Sequence, residues 1–451
     1  MDKEKFSIPG LHLSREDLEV EILQSEDEGK DAELIVTDTR RISHIDFSTE
    51  EGQETALEYL DRTSGLPLRE TWRYEEPSQL ESIKKMSEEA PPLPNLDITD
   101  DQFRDKIHGA WLGRTCGCLL GKPVEGWRRG RMWGYLKDSY RWPLSDYFSL
   151  EVPAKVKDKY EILPDRPFKE SVNFMPEDDD LNYTVTALAM MKKHGTDFTP
   201  DDLARFWLEN IPVLRTFTAE RIAMRNFCLN IGPPESAAFR NPYREWIGAQ
   251  IRADFYGYVV PGQPDRAAEM AWRDACISHV KNGVFGAMWV AAMISSACLT
   301  DDVRTIIREG LARIPEKSRL HEAVTEVMRW RDENVEYDDA VEKIHRLWSE
   351  GRHYDWGHVI SNAMIVAVGL MWGELNFEKS ICRAVQACFD TDCNGATVGS
   401  IVGMVVGRKN IPPKWAEPVN DTIETCLPDY RKTTITRLVD ETLEVIRKIH
   451  G

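Results

Sequence analysis

The chain has 451 residues, of which 57 are Lys or Arg and 76 are Asp or Glu, so its formal charge is −19. This charge opposes binding to phosphate backbones and argues against nucleic acid as a partner. The start MDKEKFSIPG lacks the apolar run of a signal peptide, and no stretch has the roughly 18 uncharged apolar residues of a membrane helix. We therefore expect a cytoplasmic protein without a membrane partner.

The first part of the chain is acidic and polar, and it closes with the proline-containing stretch EEAPPLPN. This change of texture predicts a boundary between an N-terminal extension over residues 1–97 and a second domain over 101–449. Ser14 precedes apolar residues at helical spacing, which predicts an N-capped helix. Two further helices are expected near 54–60 and 80–86. The sequence leaves two roles open for this extension, which are covering a cleft of the second domain and mediating assembly.

From about residue 101 onward, small and apolar residues form helix-length blocks, separated by short loops that contain Gly, Pro or Asp. Alternation typical of strands is scarce. The pattern predicts a compact, multi-helix, all-α domain. Its helices are expected near 101–121, 180–194, 200–210, 265–298, 301–313, 318–333, 338–350, 358–373, 377–388, 394–407 and 432–449.

Four consecutive acids precede an apolar helix in the segment PEDDDLNYTVTALAM: Glu177, Asp178, Asp179 and Asp180. Acids at a helix start can simply cap backbone N–H groups. Four in a row repel one another, however, and a hard cation relieves this repulsion because Mg²⁺ and Mn²⁺ prefer carboxylate oxygens. Helix capping and metal binding both remain open from this segment alone.

A second acidic helix start lies in the segment ACFDTDCNGATVGSIVGMVVG, where Asp390 and Asp392 are followed by Cys393 and Asn394. Helix capping is again the simpler interpretation, since Asp-x-Asp is a weakly specific pattern. Two acidic helix starts that each lead into an apolar helix can instead converge on one dinuclear metal site.

Glycines recur every four residues in the segment GAWLGRTCGCLLGKPVEGW, at Gly109, Gly113, Gly117 and Gly121. They would lie on one face of a helix and predict close contact with another helix. A phosphate-binding loop is disfavoured because the segment lacks the Walker lysine spacing and a preceding strand. Glu125 follows on a loop that can approach a ligand, which makes it a candidate general acid or base.

These three segments, in this order, resemble the ADP-ribosylglycohydrolase family over about residues 101–449. The resemblance implies an all-α fold with a dinuclear Mg²⁺ site, in which Mn²⁺ is an alternative ion. The family's Thr-Asp-Asp-Thr motif is similar to residues 178–181, and its Asp-Thr-Asp-Thr motif is similar to 390–393. By this resemblance the catalytic residues are Glu125 and Asp179, and the metal ligands are Asp178, Asp179, Asp180, Asp390, Asp392 and Cys393.

The chain departs from the family pattern at four positions. Asp178 stands in place of the first threonine, and Leu181 cannot coordinate a metal ion. Cys393 replaces a hydroxyl ligand with a softer thiol, and Cys118 stands where the opening helix normally carries an acid. These changes, together with the N-terminal extension, indicate a divergent member of the family.

Contacts to the substrate are less clear from the sequence. His279 follows Ser278 where the family has a Thr-His pair lining the cleft. Polar residues around this segment, Arg252 and Asn282, could contact a sugar or phosphate, and Asn394 is a further candidate. The alternatives are a satisfied core histidine and ordinary loop structure.

The resemblance implies a metal-dependent hydrolase that cleaves the glycosidic bond of a small ADP-ribosyl or related ribosyl compound. Family members act on ADP-ribose attached to arginine or serine and on O-acetyl-ADP-ribose, and a smaller nucleoside or riboside is a further candidate. Two other function classes stay open: a non-catalytic module that binds ADP-ribose, and a metal phosphohydrolase that uses the same acids. The oligomeric state is not legible in the sequence.

Overall fold

The computed structural model describes residues 8–31, 42–90, 93–94 and 99–450. Regular structure in these residues is almost entirely helical, which confirms the predicted all-α class. The predicted domain boundary near residue 97 lies outside the described residues. None of the described helices is both long and apolar enough to cross a membrane.

Three helices form the described N-terminal part: α1 (Arg15–Asp27), α2 (Glu50–Ser64) and α3 (Leu80–Met86). All three were predicted. Ser14 caps α1 through a reciprocal pair of hydrogen bonds, in which its hydroxyl accepts from the Asp17 N–H and its own N–H donates to the Asp17 carboxylate at 2.7 Å. This capping box satisfies two backbone donors that a helix start otherwise leaves unpaired.

The first half of the helical body contains α4 (Asp100–Gly121), α5 (Arg129–Asp138), α6 (Ala154–Lys159), α7 (Asp179–His194), α8 (Pro200–Asn210), α9 (Thr218–Cys228), α10 (Glu235–Ala238), α11 (Gly248–Ile251), α12 (Asp254–Val259), α13 (Pro264–Ala275) and α14 (Lys281–Ala297). Several of its short helices were not predicted. The residues of α12, for example, are all buried, so its sequence lacks the polar face that makes a helix recognisable.

The second half contains α15 (Val303–Leu311), α16 (Arg319–Asp332), α17 (Tyr337–Leu347), α18 (His353–Gly357), α19 (Val359–Gly373), α20 (Phe377–Gln386), α21 (Thr391–Val406), α22 (Pro413–Ala416) and α23 (Ile435–His450). Two short antiparallel strands, β1 (Thr422–Glu424) and β2 (Lys432–Thr434), precede α23, with Ile423 opposite Thr433. Short 3-10 turns lie at Lys122–Val124, Lys169–Ser171, Val213–Arg215, Arg408–Asn410 and Pro428–Tyr430.

Two of the predicted helices were wrong in extent. The block 265–298 is two helices, because the chain leaves α13 after Ala275 and the N–H of Val280 donates to the carbonyl of Arg244 at 3.0 Å. The block 432–449 begins with a strand, because residues 432–434 pair with β1 before the helix starts. In both cases a partner distant in the sequence decides the local structure.

The core is built around α14, α19 and α21, which are buried along almost their whole lengths. The N-terminal helix α1 packs on the outside of this body. Its Val20 lies in a buried apolar cluster whose other members come from the body: Ala219, Ile222, Tyr243, Trp246 and Tyr354. The N-terminal part is therefore in direct contact with the helical body.

Candidate metal centre and its cavity

Close contact between α4 and α21 brings the distant acidic segments together. A Cβ atom added at Gly117 would lie 1.9 Å from the carbonyl oxygen of Gly395, and one at Gly113 would lie 2.1 Å from that of Gly399. No side chain fits at such distances, so only glycine allows the two backbones to meet. The order of these pairs makes the helices antiparallel, and the end of α4 therefore lies beside the start of α21.

The junction of these helix ends is fixed by the main chain. The hydroxyl of Thr391 donates to the carbonyl of Gly121 at 2.9 Å, and a Cβ at Gly121 would lie 2.3 Å from the backbone nitrogen of Asp392. Lys122 and Glu125, which follow α4, are consequently held next to the acids that open α21.

The start of α7 supplies the other acids. Asp178 caps this helix, and its carboxylate accepts from the N–H of Asp180 at 3.0 Å. Asp180 is fully buried and is paired with Arg114 of α4 at 2.9 Å, while the same guanidinium lies 2.9 Å from Asp254. Arg114 thus ties α4, α7 and α12 together. The sequence analysis did not identify it, because it lies within the glycine-rich helix and carries no motif of its own.

The acidic side chains form two overlapping groups of possible ligand atoms. The Sγ or carboxylate oxygens of Cys118, Asp178, Asp180 and Asp392 lie within 4.8 Å of one another. Those of Asp390, Asp392 and Cys393 form the second group. Asp392 belongs to both, and its buried Oδ1 has no hydrogen-bond partner in the part of the chain that the structure describes. We call these residues the acid cluster.

The backbone and a nearby amide hold the α21 side of the acid cluster in place. The side-chain oxygen of Asn362 on α19 accepts from the N–H of Asp390 at 3.1 Å and from the side-chain amide of Asn394 at 2.8 Å. Asn362 therefore positions the first turn of α21 without facing the ligand atoms itself.

Crowding of negative charge shifts the pKa values of these acids. Burial, with the charge of Asp178, raises the pKa of Asp392 to about 6. The charge of Asp392, with desolvation, raises the pKa of Glu125 to about 9. Burial is also the first cause of the raised pKa values of Asp179, Asp180 and Asp390. A divalent cation would offset the repulsion that produces these shifts.

A cavity of about 750 Å³ opens onto the acid cluster. Of the residues predicted to be catalytic or metal-binding, all except Asp180 line it: Glu125, Asp178, Asp179, Asp390, Asp392 and Cys393. Lys122 lines it as well. The volume lies within the range of about 300–1,000 Å³ that is usual for small-molecule sites.

Part of the cavity wall comes from the N-terminal segment. Its residues there are Pro9, Gly10, His12, Ser14, Glu16 and Asp17. Aromatic side chains of the body, among them Tyr243, Trp246 and Trp356, also line the cavity. Such rings offer flat apolar surfaces, while Glu16 and Asp17 accept hydrogen bonds.

Buried ion pairs attach this N-terminal segment to the body. Arg244 pairs with Glu21 at 2.5 Å and with Glu28 at 2.6 Å. Although burial opposes ionisation of Glu28, the combined charges of Arg244, Lys281 and Lys30 outweigh it and lower the pKa of Glu28 to about 2. Arg319 makes a similar set of contacts with Asp27, Glu76 and Glu245.

One more group of possible ligand atoms exists in this network, formed by Asp27, Glu245 and His358. Arg319 already lies 2.6 Å from both Asp27 and Glu245. Because a guanidinium neutralises these carboxylates, this group is an ion-pair network between segments.

The four predicted substrate contacts lie away from the cavity. Arg252 is buried and bonded to Glu220 at 2.7 Å, and it also pairs with Asp274. His279 is buried, with its Nδ1 2.8 Å from the Ser278 hydroxyl. The guanidinium of Arg252 is thus used within the protein, whereas the buried Nε2 of His279 has no hydrogen-bond partner among the described residues. Neither residue lines the cavity.

Asn282 and Asn394 are likewise engaged internally. The side-chain oxygen of Asn282 accepts from the N–H of Leu320 at 3.0 Å, and its amide donates to Glu245 at 3.3 Å. The amide of Asn394 donates to Asn362. The polarity of Asn282 and Asn394 is visible in the sequence. Their hydrogen-bond partners are not, because these lie in distant segments of the chain.

Comparisons with known proteins agree with the helical architecture. A family model described as ADP-ribosylglycohydrolase matches residues 99–450. Among solved structures, the chain is similar to one described as an ADP-ribosylglycohydrolase-related protein complex, with 17% identity over 77% of this chain and 99% of that chain and a TM-score of 0.45. No curated protein matches the chain. The family match leaves the segment 8–31 outside its bounds.

Proposed function

The chain belongs to the ADP-ribosylglycohydrolase family, and we propose that it hydrolyses the bond between the anomeric carbon of a ribosyl group and its leaving group with the help of a divalent cation. Membership of the family indicates a glycoside hydrolase that acts on ADP-ribosyl compounds. The rest of the proposal depends on one observation. The acids at the start of α7 and those at the start of α21 meet beside the cavity, where Asp392 belongs to both groups of ligand atoms.

The acid cluster fits a divalent cation. Its ligand atoms are mainly carboxylate oxygens, and the buried Oδ1 of Asp392 has no hydrogen-bond partner among the described residues. When bound, such a cation engages the ribose hydroxyls and polarises a water molecule. Mg²⁺ and Mn²⁺ suit carboxylate ligands best. The proposed reaction requires one cation and does not depend on a second.

Glu125 and Asp179 are the residues to which we assign proton transfer. Glu125 lies on the loop after α4, lines the cavity and can carry the proton that the leaving group requires. It would donate that proton to the leaving-group atom as the bond to the anomeric carbon breaks. Asp179 lines the same cavity and would accept a proton from the water that attacks this carbon.

The test is turnover of a defined set of ribosyl compounds by the full chain loaded with Mg²⁺ or Mn²⁺. ADP-ribosylarginine, ADP-ribosylserine, O-acetyl-ADP-ribose and a nucleoside are incubated separately, and the products are separated and weighed by mass spectrometry. We expect release of ADP-ribose or ribose from at least one of them. Asp392→Asn and Glu125→Gln should each reduce kcat by about 100-fold or more.

The matched control is Asp197→Asn, which makes the same chemical change at an exposed residue away from the cavity. Its kcat should equal that of the unmodified chain. Release of inorganic phosphate in place of a free sugar would contradict the proposal and support a phosphohydrolase. Metal-dependent binding of ADP-ribose without any turnover would instead support a binding module.

A further inference from the structure

A lysine side chain enters the acid cluster. The Nζ of Lys122 lies 2.5 Å from Oδ2 of Asp178, and this lysine is mostly buried, with 21% of its side chain exposed. This ion pair places a positive charge of the protein inside the acid cluster.

The backbone keeps Lys122 at this position. It follows Gly121, whose carbonyl accepts from Thr391, and its own N–H donates to the carbonyl of Cys118. Pro123 fixes the next turn. Because the helix contact leaves no space at Gly121, the lysine side chain starts beside Asp392 and cannot be moved away by a rotation of the helix end.

The two groups of ligand atoms differ in what already neutralises them. In the group of Cys118, Asp178, Asp180 and Asp392, Lys122 pairs with Asp178 and Arg114 pairs with Asp180. In the group of Asp390, Asp392 and Cys393, neither carboxylate has an ion pair with a lysine or arginine among the described residues, although the charge of Lys122 still acts on Asp392. The protein thus pairs two carboxylates of the first group with its own cations and leaves those of the second group without an ion pair.

We propose that the ammonium of Lys122 takes the place of one of two metal ions, so that the acid cluster binds a single divalent cation at Asp390, Asp392 and Cys393. This inference rests on the metal site in the proposed function, and it differs from the two ions that the family resemblance implies. The ion pairs of Lys122 with Asp178 and of Arg114 with Asp180 agree with it, because they already neutralise two carboxylates that a second ion would need as ligands.

The experiment counts Mn²⁺ ions on the full chain after removal of metals by a chelator. Titration calorimetry gives the number of equivalents bound, and electron paramagnetic resonance distinguishes an isolated Mn²⁺ from a spin-coupled pair. The variants are Lys122→Met, which keeps the length of the side chain without its charge, and the control Lys155→Met at an exposed position. We expect one equivalent in the unmodified chain and the control, and two equivalents with a coupled signal in Lys122→Met.

Binding of two Mn²⁺ equivalents by the unmodified chain would overturn the inference. This measurement does not depend on whether a variant folds. One equivalent in both the unmodified chain and Lys122→Met would also overturn it, because Lys122 would then not replace an ion. Neither result affects the proposed hydrolysis, which is judged by release of sugar. Absence of any Mn²⁺ binding in the unmodified chain would overturn both the inference and the metal-dependent reaction.

Discussion

Two cysteine thiols belong to the acid cluster and come from different helices. Cys118 comes from the last turn of α4 and its Sγ lies 3.9 Å from a carboxylate oxygen of Asp180, whereas Cys393 comes from the first turn of α21 and lines the cavity. Cys393 shares its group with two carboxylates that have no ion pair with a lysine or arginine of the described residues. The thiols are therefore chemically alike but differ in their access to a metal ion.

Cobalt separates the two thiols experimentally. If the ion binds at Asp390, Asp392 and Cys393, Co²⁺ should produce a sulfur-to-cobalt charge-transfer band in the near ultraviolet. We expect Cys393→Ser to abolish this band and to weaken Co²⁺ binding by about tenfold, because a hydroxyl is a poorer ligand for a borderline metal. The matched variant Cys118→Ser should retain the band. Loss of the band in Cys118→Ser alone would contradict this assignment.

The sequence made the acids of this site predictable and left their supporting residues obscure. Asp178 and Asp392 stand out because runs of acids before apolar helices are unusual. Arg114 does not, because its importance depends on which face of α4 meets α7. Arg252 shows the opposite error: it is polar enough to suggest a ligand contact, yet Glu220 from another helix binds it. Side-chain partners from distant segments cannot be deduced from local pattern.

The sequence predicted that α4 would pack closely against another helix, but it did not identify α21 as that helix. Glycines four residues apart indicated close helix packing, and the structure shows the glycines at 395, 399 and 403 to be the facing set. The glycines of α4 and those of α21 both recur every four residues, but the sequence does not show which glycines face each other until the helices are known to be antiparallel. This contact controls the distance between Lys122 and Asp392, so damage to it should affect metal binding as well as stability.

Replacement of Gly117 by Ala tests this connection. The new methyl group would lie 1.9 Å from the carbonyl oxygen of Gly395, so the helices must separate. We expect the free energy of unfolding to fall by about 3 kcal/mol or more, since overpacking against backbone cannot be relieved by a side-chain rotation. Mn²⁺ affinity should fall as well, because the first turn of α21, which carries Asp390, Asp392 and Cys393, would lose its anchor to Gly121 through the hydroxyl of Thr391. Denaturant titration and calorimetry measure the two effects.

Gly130→Ala is the control for this prediction. Gly130 lies within the exposed part of α5, and a Cβ added there would have no atom within 4 Å. Alanine is the better helix former by about 1 kcal/mol, so this variant should be slightly more stable and should bind Mn²⁺ normally. Equal stability of the two alanine variants would show that the helix contact is not as close as described.

The N-terminal segment makes the cavity of this chain different from one built by the family-matched residues alone. Residues 8–31 lie outside the match, yet six of them line the cavity, and the ion pairs of Arg244 attach α1 to the body. Covering a cleft was one of the two roles that the sequence left open for this segment. Contact between remote segments is a tertiary property, so composition and helix pattern could not decide between the two roles.

A substitution of Glu16 measures how much the N-terminal segment contributes to binding of ADP-ribose in the cavity. It lines the cavity, and its carboxylate lies 2.6 Å from Nδ1 of His353. We expect Glu16→Gln to change the dissociation constant of ADP-ribose by about threefold to tenfold, the effect of altering one or two polar contacts. The number of bound Mn²⁺ ions should not change, since Glu16 lies outside the acid cluster.

Glu19→Gln provides the comparison, because Glu19 is exposed on the same helix and is not among the residues that line the cavity. Its dissociation constant for ADP-ribose should equal that of the unmodified chain. If both glutamine variants bind ADP-ribose as tightly as the unmodified chain, the segment encloses the cavity without contacting this ligand.

The contact between α4 and α21 can form only after both helices have been synthesised. Thr391 and Gly121, which join the two helix ends, are 270 residues apart in the chain. A ribosome adding about 5–20 residues per second therefore takes many seconds to deliver the partner of α4 after α4 itself has emerged. During that interval the glycine face of the newly made α4 lacks its partner helix α21. The acids at the start of α7 likewise lack Asp390 and Asp392. Metal loading at this site consequently follows synthesis of the chain as far as the start of α21.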